Sequence, residues 1–488
     1  MNFRNIYFKF ILLVVLFVPV LASADYEKQG ADFFIDPNYG KSDASKIAAT
    51  LQVNTDSAYF YVDDNWFNSK TETEKNDIRS KLNYLGGEFA SNIYPKLTMA
   101  YGQEWTPGID GDRKITVLLY SMKDSVKGYV RNVDEYEKTV NPFSNQREMI
   151  YLNADKVSDS LASSYLAHEF THLIEFNQKE RRTGNPEETW LNELRAELAP
   201  TIVGYNDTVS ENNYLRKRAA SFINNPSDSL LGWKGESSDY GTISMFGHYL
   251  MDQYGVDILS DSLRVSSKRG IDSINEALSR KGTKDTFADI FTNWSIASYL
   301  NDCTYNKRHC YKNENLVSIH VIPFSNFIPY TGESSLSVSQ AFANWSANWQ
   351  KFSGSNKSLV IDFDGRRTTG LKVIYIIRDY SGGYEVKELT LDSLKKGTIQ
   401  LSNLGTDKAS LIMIPLIENR DFVSYGNDFL YSITVSTAAG TADDPADPGN
   451  ISLPFALDKP LNQMNKEELL MVLIRLIIYL VLQGRLTL

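Results

Sequence analysis

The spacing of apolar and polar positions divides this chain of 488 residues into stretches of different period. DSAYFYVDDNW alternates and reads as a strand. ITVLLY (Ile115–Tyr120), after the turn-rich EWTPGIDGDRK, reads as a second strand, and REMIYLN (Arg147–Asn153) as a third. Helical patterns lie between and after them. TETEKNDIRSKLNYLGGEFASNIYPKL has a charged outer face, with Thr71 or Thr73 as N-cap. Asp155 to Gln178 contains no proline or glycine and reads as one helix. After the break GNPEE, Asn185 as cap and Pro186 at the first helical position predict a helix from about Glu187 to Val203. Gly241–Gly255 and DTFADIFTNWSIASYL read as two further helices.

The texture changes after Cys310. KSLVIDFDG, LKVIYIIRD, YEVKELTL, TIQLSN, ASLIMIPLI and FLYSITVST are short β-prone runs separated by turns, the pattern of an antiparallel β-sandwich. STAAGTADDPADPGN then reads as a linker. The final NKEELLMVLIRLIIYLVLQGRLTL reads as a capped helix whose apolar part, Leu469–Leu482, is interrupted by Arg475 and is short for a bilayer. It is apolar nearly all round, so it is expected to pack on its own domain, self-associate, dock on a partner or lie against a membrane. The implied organisation is a leader over 1–24, a mixed α/β subdomain over 25–154 and a helical subdomain over 155–312. A β-sandwich over 313–437, a linker over 438–464 and an apolar helix over 465–488 follow.

The first residues change the picture of where the protein works. MNFRNIYFKF carries Arg4 and Lys9, ILLVVLFVPV is a short apolar core, and Ala22-x-Ala24 offers cleavage before Asp25, so the chain is expected to be exported, secreted or held at the cell envelope. Apolar content of 42% and charged content of 23% are globular values, and a net charge of -10 argues against nucleic acid as a partner. The only cysteines, Cys303 and Cys310, read as a disulfide staple in an oxidising compartment, with free thiols as the alternative.

AHEFTHLIEF carries the candidate chemistry. His168 and His172, four residues apart on a helix, project from one face and can reach one Zn²⁺, while Glu169 can address a water beside it. The bland alternative is two histidines on an ordinary helix face. A catalytic zinc wants a third protein ligand. ETWLNELRAELAP offers Glu193 for it, and Glu197, one turn on, could accept a hydrogen bond from a ligand imidazole. Asp110, Asp112, Asp134 and Glu135 are of a type that binds Ca²⁺, but short acidic turns are commonly just turns, and no calcium is assigned.

HEFTH followed by WLNE resembles the gluzincin clan of zinc metallopeptidases, including the hyicolysin family and, more distantly, thermolysin. The likeness covers roughly Trp105 to Gly255. It implies an α+β fold: a zincin-like domain with a mixed upstream sheet and a helical lower subdomain. It also implies one catalytic zinc held by His168, His172 and Glu193, with Glu197 supporting the first histidine. Glu169 would be the general base, taking a water proton and passing it to the leaving amine. Tyr240 resembles a tyrosine that precedes a helix in zinc aminopeptidases and is the candidate oxyanion donor, with His248 as runner-up. The metzincin extension would need glycine at Glu175 and histidine at Gln178, and has neither.

The resulting expectation is a zinc-dependent endopeptidase acting on protein or peptide. No GxMEN-like anchor for a free amine occurs, which favours internal cleavage. REMIYLN is expected to be the rim strand that pairs with extended substrate. The competing expectation is a cell-surface binding or adhesion protein that keeps the fold as a scaffold. No G-x-S-x-G supports serine chemistry.

Overall fold

The computed structural model describes residues 24–437, apart from 206–212, 330–332, 356, 403, 406, 421–425 and 427. The expected leader up to residue 23, the linker and the terminal apolar helix therefore lie outside the described residues. Among those described, no helix is long and apolar enough to cross a membrane. The fold is α+β.

Strands β1 (Gly30–Phe34), β2 (Lys46–Asn54), β3 (Ala58–Asp63), β4 (Ile115–Tyr120), β5 (Gly128–Val130) and β6 (Met149–Asn153) form one sheet in the order β1-β2-β3-β4-β6-β5. The β3–β4 and β4–β6 pairs are parallel and the others antiparallel. Every side chain of β3, β4 and β6 is buried, because the sheet is covered on both faces. One face packs Phe60, Val62, Val117 and Ile150 against helices, and the other stacks Tyr61, Leu118, Tyr129 and Tyr151 in a separate apolar layer.

Helix α1 (Asp64–Asn68) leaves β3 directly, and α2 (Glu72–Glu88) starts at a Thr71–Glu74 capping box. α2 runs through a π-helical turn, Phe89–Ile93, into α3 (Tyr94–Tyr101). β6 leads through a 3₁₀ turn into α4 (Ala162–Glu175), whose helical course continues as a π turn over Phe176–Arg181. The helix expected from Asp155 starts seven residues later, because Asp155 instead takes hydrogen bonds from Ser121 Oγ, Lys41 Nζ and Trp66 Nε1. α5 is Thr189–Val203 with Glu188 at its N-cap. Asn185 is not the cap: its amide reaches the Ser267 carbonyl, and the Glu187 carboxylate accepts from Gly270 N–H.

Besides the short α1, whose start reads as strand, three helices escape the periodicity: α6 (Tyr214–Asn224), α8 (Asp257–Arg264) and α9 (Gly270–Arg280). Each is at most 11 residues, too short for its pattern to stand out. Between them α7 spans Ser237–Tyr254, beginning at a Glu236–Asp239 capping box, so Tyr240 lies inside its first turn and not ahead of it. α10 is Phe287–Leu300, capped by Thr286. The Cys303 and Cys310 sulfurs are bonded just beyond it.

The remaining strands are β7 (Phe324–Ile328), β8 (Ser335–Phe342), β9 (Gln350–Gly354), β10 (Leu359–Asp364), β11 (Leu371–Asp379), β12 (Tyr384–Glu388), β13 (Lys396–Leu401), β14 (Lys408–Ile417) and β15 (Phe429–Thr437). They form two sheets, β13-β10-β15-β8 and β12-β11-β14-β9-β7, whose side chains share a core around Phe352, Phe363, Met413 and Tyr431. The β10–β13, β8–β15, β11–β12, β11–β14 and β9–β14 pairs are antiparallel, and β7 runs parallel to β9. Ile374, Ile412 and Ile414, with Trp345 and Trp349, instead join the apolar cluster of the helices, and Trp349 Nε1 donates to the Ser295 carbonyl in α10.

Candidate metal centre and cleft

α4 packs Leu166, Phe170, Leu173 and Ile174 into the helical core, which turns its other face to α5 and to a cavity of about 860 Å³. That face holds His168, Glu169 and His172. His168 Nε2 stands 3.4 Å and His172 Nε2 3.9 Å from one oxygen, Oε2, of Glu193 on α5. The ligand atoms of these three residues lie within 4.8 Å of one another. Glu193 Oε2 is buried and accepts no hydrogen bond. Two imidazole nitrogens and a carboxylate oxygen facing one point suit a borderline divalent metal, zinc above all. The residues present fit the ion.

The far nitrogens of the rings are each faced by a carboxylate. His172 Nδ1 is 3.1 Å from Glu175 Oε2, and His168 Nδ1 is 3.5 Å from Glu197 Oε1. Each carboxylate is in turn held by an arginine. Arg218 of α6 grips Glu197 with Nε at 2.7 Å and Nη2 at 2.8 Å, and Tyr214 Oη donates to it at 2.7 Å. Arg195 Nη1 lies 3.5 Å from Glu175 Oε1 and its Nη2 3.2 Å from Glu187. Arrays of this kind fix the tautomer and orientation of a ligand histidine.

Electrostatics follow from this crowding. Burial alone would lower His172, but the Glu175 hydrogen bond and the charges of Glu193, Glu175 and Glu169 push it up to about 10. Burial would raise Glu193, yet the two histidines hold it below the usual carboxylate range. Glu169 is raised, by burial first and then by Glu193 and Glu197, against the pull of the histidines.

Glu169 lines the same cavity, under Gly128 of β5: a Cβ there would come within 2.8 Å of the Glu169 side chain. Tyr240 and Trp233 also line the cavity, their rings 4.9 Å apart, and the Arg218 guanidinium lies 4.6 Å from the Tyr240 ring centre. His248 is not brought to the cleft. It is fully buried, its ring nitrogens engaged by Thr201 Oγ1 and the Ser244 carbonyl. The strand that borders the cavity is β5, at the end of the sheet, and not β6, which is paired on both sides. Glu175 and Arg218 are the site residues the periodicity passed over. The signal for Glu175 was present: it sits three residues after His172, one helical turn along the same face.

Asp110, Asp112 and Asp134 are occupied by protein donors: Asp112 N–H donates to Asp110, Tyr59 Oη to Asp112, and Tyr151 Oη to Asp134.

No family model matches the chain. It is 24% identical over 306 residues to the neutral metalloprotease ShpI of Staphylococcus hyicus. The match covers 56% of this chain and 63% of that protein, less than two thirds of the relative's length. The chain has a metalloprotease relative. Among solved structures, the pre-peptidase C-terminal domain of a Bacillus anthracis collagenase matches 23% of this chain and 96% of its own, at 11% identity and TM-score 0.17. The lysozyme inhibitor PliG of Salmonella Typhimurium matches 23% and 97%, at 13% identity and TM-score 0.15. Likenesses at those scores carry no argument.

Proposed function

We propose that this protein is an exported zinc-dependent endopeptidase of the gluzincin type, with a zincin-like arrangement around α4 and α5. The observation that carries the reading is the convergence of His168 Nε2, His172 Nε2 and Glu193 Oε2 on one point beside the buried Glu169. The metalloprotease relative supports the reaction class. A zinc ion held by His168, His172 and Glu193 would supply a Lewis acid that polarises a peptide carbonyl and acidifies water.

The chain's own residues do the rest. Glu169, with its carboxyl raised by burial, is poised to accept a proton from water and to return it to the leaving amine. Tyr240, which lines the same cleft, is the candidate hydroxyl donor to the oxyanion. Glu197 and Glu175 orient the imidazoles. β5 pairs with β6 along one edge only, so its other edge can add an extended peptide as a further strand. The open cleft then receives an internal segment of a protein substrate.

The test is metal content and casein hydrolysis of the purified protein, alongside Glu169→Gln. One zinc per chain, chelator-sensitive hydrolysis, and a variant that keeps zinc while losing about 100-fold or more of the rate are expected. A Glu169→Gln protein as active as the parent would remove Glu169 from the reaction.

A further inference from the structure

The other end of the sheet poses a separate question. Ala24 is exposed, and Asp25 is buried at 7%. All four polar atoms of Asp25 are engaged. Its N–H donates to Tyr59 Oη at 3.2 Å, and its carbonyl accepts from Asn54 Nδ2 at 3.2 Å. Its carboxylate takes Arg147 through both guanidinium nitrogens, together with Tyr61 Oη at 2.9 Å and Gln29 Nε2 at 3.1 Å. Terminal residues are ordinarily loose unless tied down. Here the tie starts at one residue, the residue that follows Ala22-x-Ala24.

The surroundings are short of positive charge. Tyr59 Oη, which accepts from Asp25 N–H, donates its own hydrogen bond to Asp112 Oδ2 at 2.7 Å. Asp110 lies within electrostatic reach of Asp25, Asp112 and Arg147. Lys114, whose ammonium lies 5.0 Å from the Tyr59 ring centre, is the other cation. Asp25, Asp110 and Asp112 thus lie near Arg147 and Lys114 with negative charge in excess, which a further positive charge at the Asp25 nitrogen would offset.

We infer that the chain is cut between Ala24 and Asp25, and that the α-ammonium so formed is a buried structural group, donating to Tyr59 Oη and neutralised by Asp112. The inference rests on the export reading above. The step is a hydrolysis by the exporting cell's leader-removing peptidase, acting before Asp25 is buried. The Ala24–Asp25 amide bond breaks, water supplies oxygen to the Ala24 carbonyl carbon, and its protons leave a carboxylate on Ala24 and an ammonium on Asp25. Processing thereby installs the charge that locks β1, through Gln29 and Asp25, and the 104–114 loop, through Asp112, to the sheet.

The experiment uses the exported full chain. Its intact mass locates the terminus. An amine-acylating reagent near neutral pH then reads the α-amine, because an ordinary one has a pKa of about 8 while lysines lie near about 10.4. The expected result is a chain beginning at Asp25 whose terminus labels at least about tenfold more slowly folded than unfolded, the effect of a one-unit rise in pKa. Asp112→Asn should restore most of that reactivity. A terminus at another residue, or an Asp25 amine that labels equally fast in both states, overturns the inference while leaving export intact. A chain that stays inside the cell with its leader attached overturns export and this inference together. The folded-against-unfolded comparison needs no variant, so misfolding of Asp112→Asn would not obscure it.

Discussion

Glu175 illustrates how much one side chain can add to a site that is half visible in the sequence. The i, i+4 spacing of His168 and His172 follows from helix geometry, and so does the i, i+3 contact that puts Glu175 on His172 Nδ1. What spacing could not show is that Arg195, from another helix, braces the same carboxylate from behind. Glu175→Gln keeps an acceptor for the imidazole N–H but removes its charge. Metal affinity, read by competition with a chelator of known strength, should fall about 10-fold or more, as when other supporting partners of ligand histidines are lost. Glu175→Ala should fall further. Equal affinity in all three proteins would reduce Glu175 to packing.

At the level of elements, the long patterns were legible and the short ones were not. β4 lies where its apolar run predicts, and α2 starts at the Thr71 cap, because the signals for both are local. α6 was missed, yet it delivers Arg218 and Tyr214 to Glu197. The rim strand was assigned to β6, whereas the sheet order puts β5 outside it. The loop before β4 carries a prediction of its own. Ile109 N–H donates to Glu148 Oε1 at 2.8 Å, and burial, reinforced by Asp110 and Glu104, pushes Glu148 up to about 8 from an ordinary 4.5. The folded state therefore holds a proton that the unfolded chain has released, and stability falls as pH rises from 4.5 towards 8. Glu148→Gln should flatten that fall and make the protein more resistant to urea at pH 8 than the parent. Parallel stability–pH curves for the two proteins would show that the buried carboxyl does not contribute.

Over the whole molecule, the cleft is lined by elements far apart in the chain: β5, α4, α5, α6 and the start of α7. The described β-rich part after Cys310 joins this body through the core around Trp345 and Trp349. The Cys303–Cys310 bond lies near that junction and closes a loop with a sequence separation of 7. Loop-closure entropy for so short a ring corresponds to about 2–3 kcal/mol. Reduction of the folded protein, or a Cys303→Ser/Cys310→Ser pair, should lower unfolding free energy by about that amount in a denaturant titration. An unchanged midpoint would mean the surrounding contacts hold the loop by themselves.

The sequence by itself determined which residues are the candidates for the chemistry: two histidines and a glutamate closely spaced on one helix, and a WLNE carboxylate as the proposed third ligand. These depend on the fixed rise and period of a helix, so residue spacing is enough to read them. The tertiary structure decided how that chemistry is framed. It chose Glu175 and Arg195 as the support of one histidine, Glu197 and Arg218 as the support of the other, β5 as the open edge, and His248 as a residue of the core. The Glu175 contact is local to α4, but the bracing by Arg195 and Arg218, the open edge of β5 and the burial of His248 depend on strand order and helix packing, which no local period encodes.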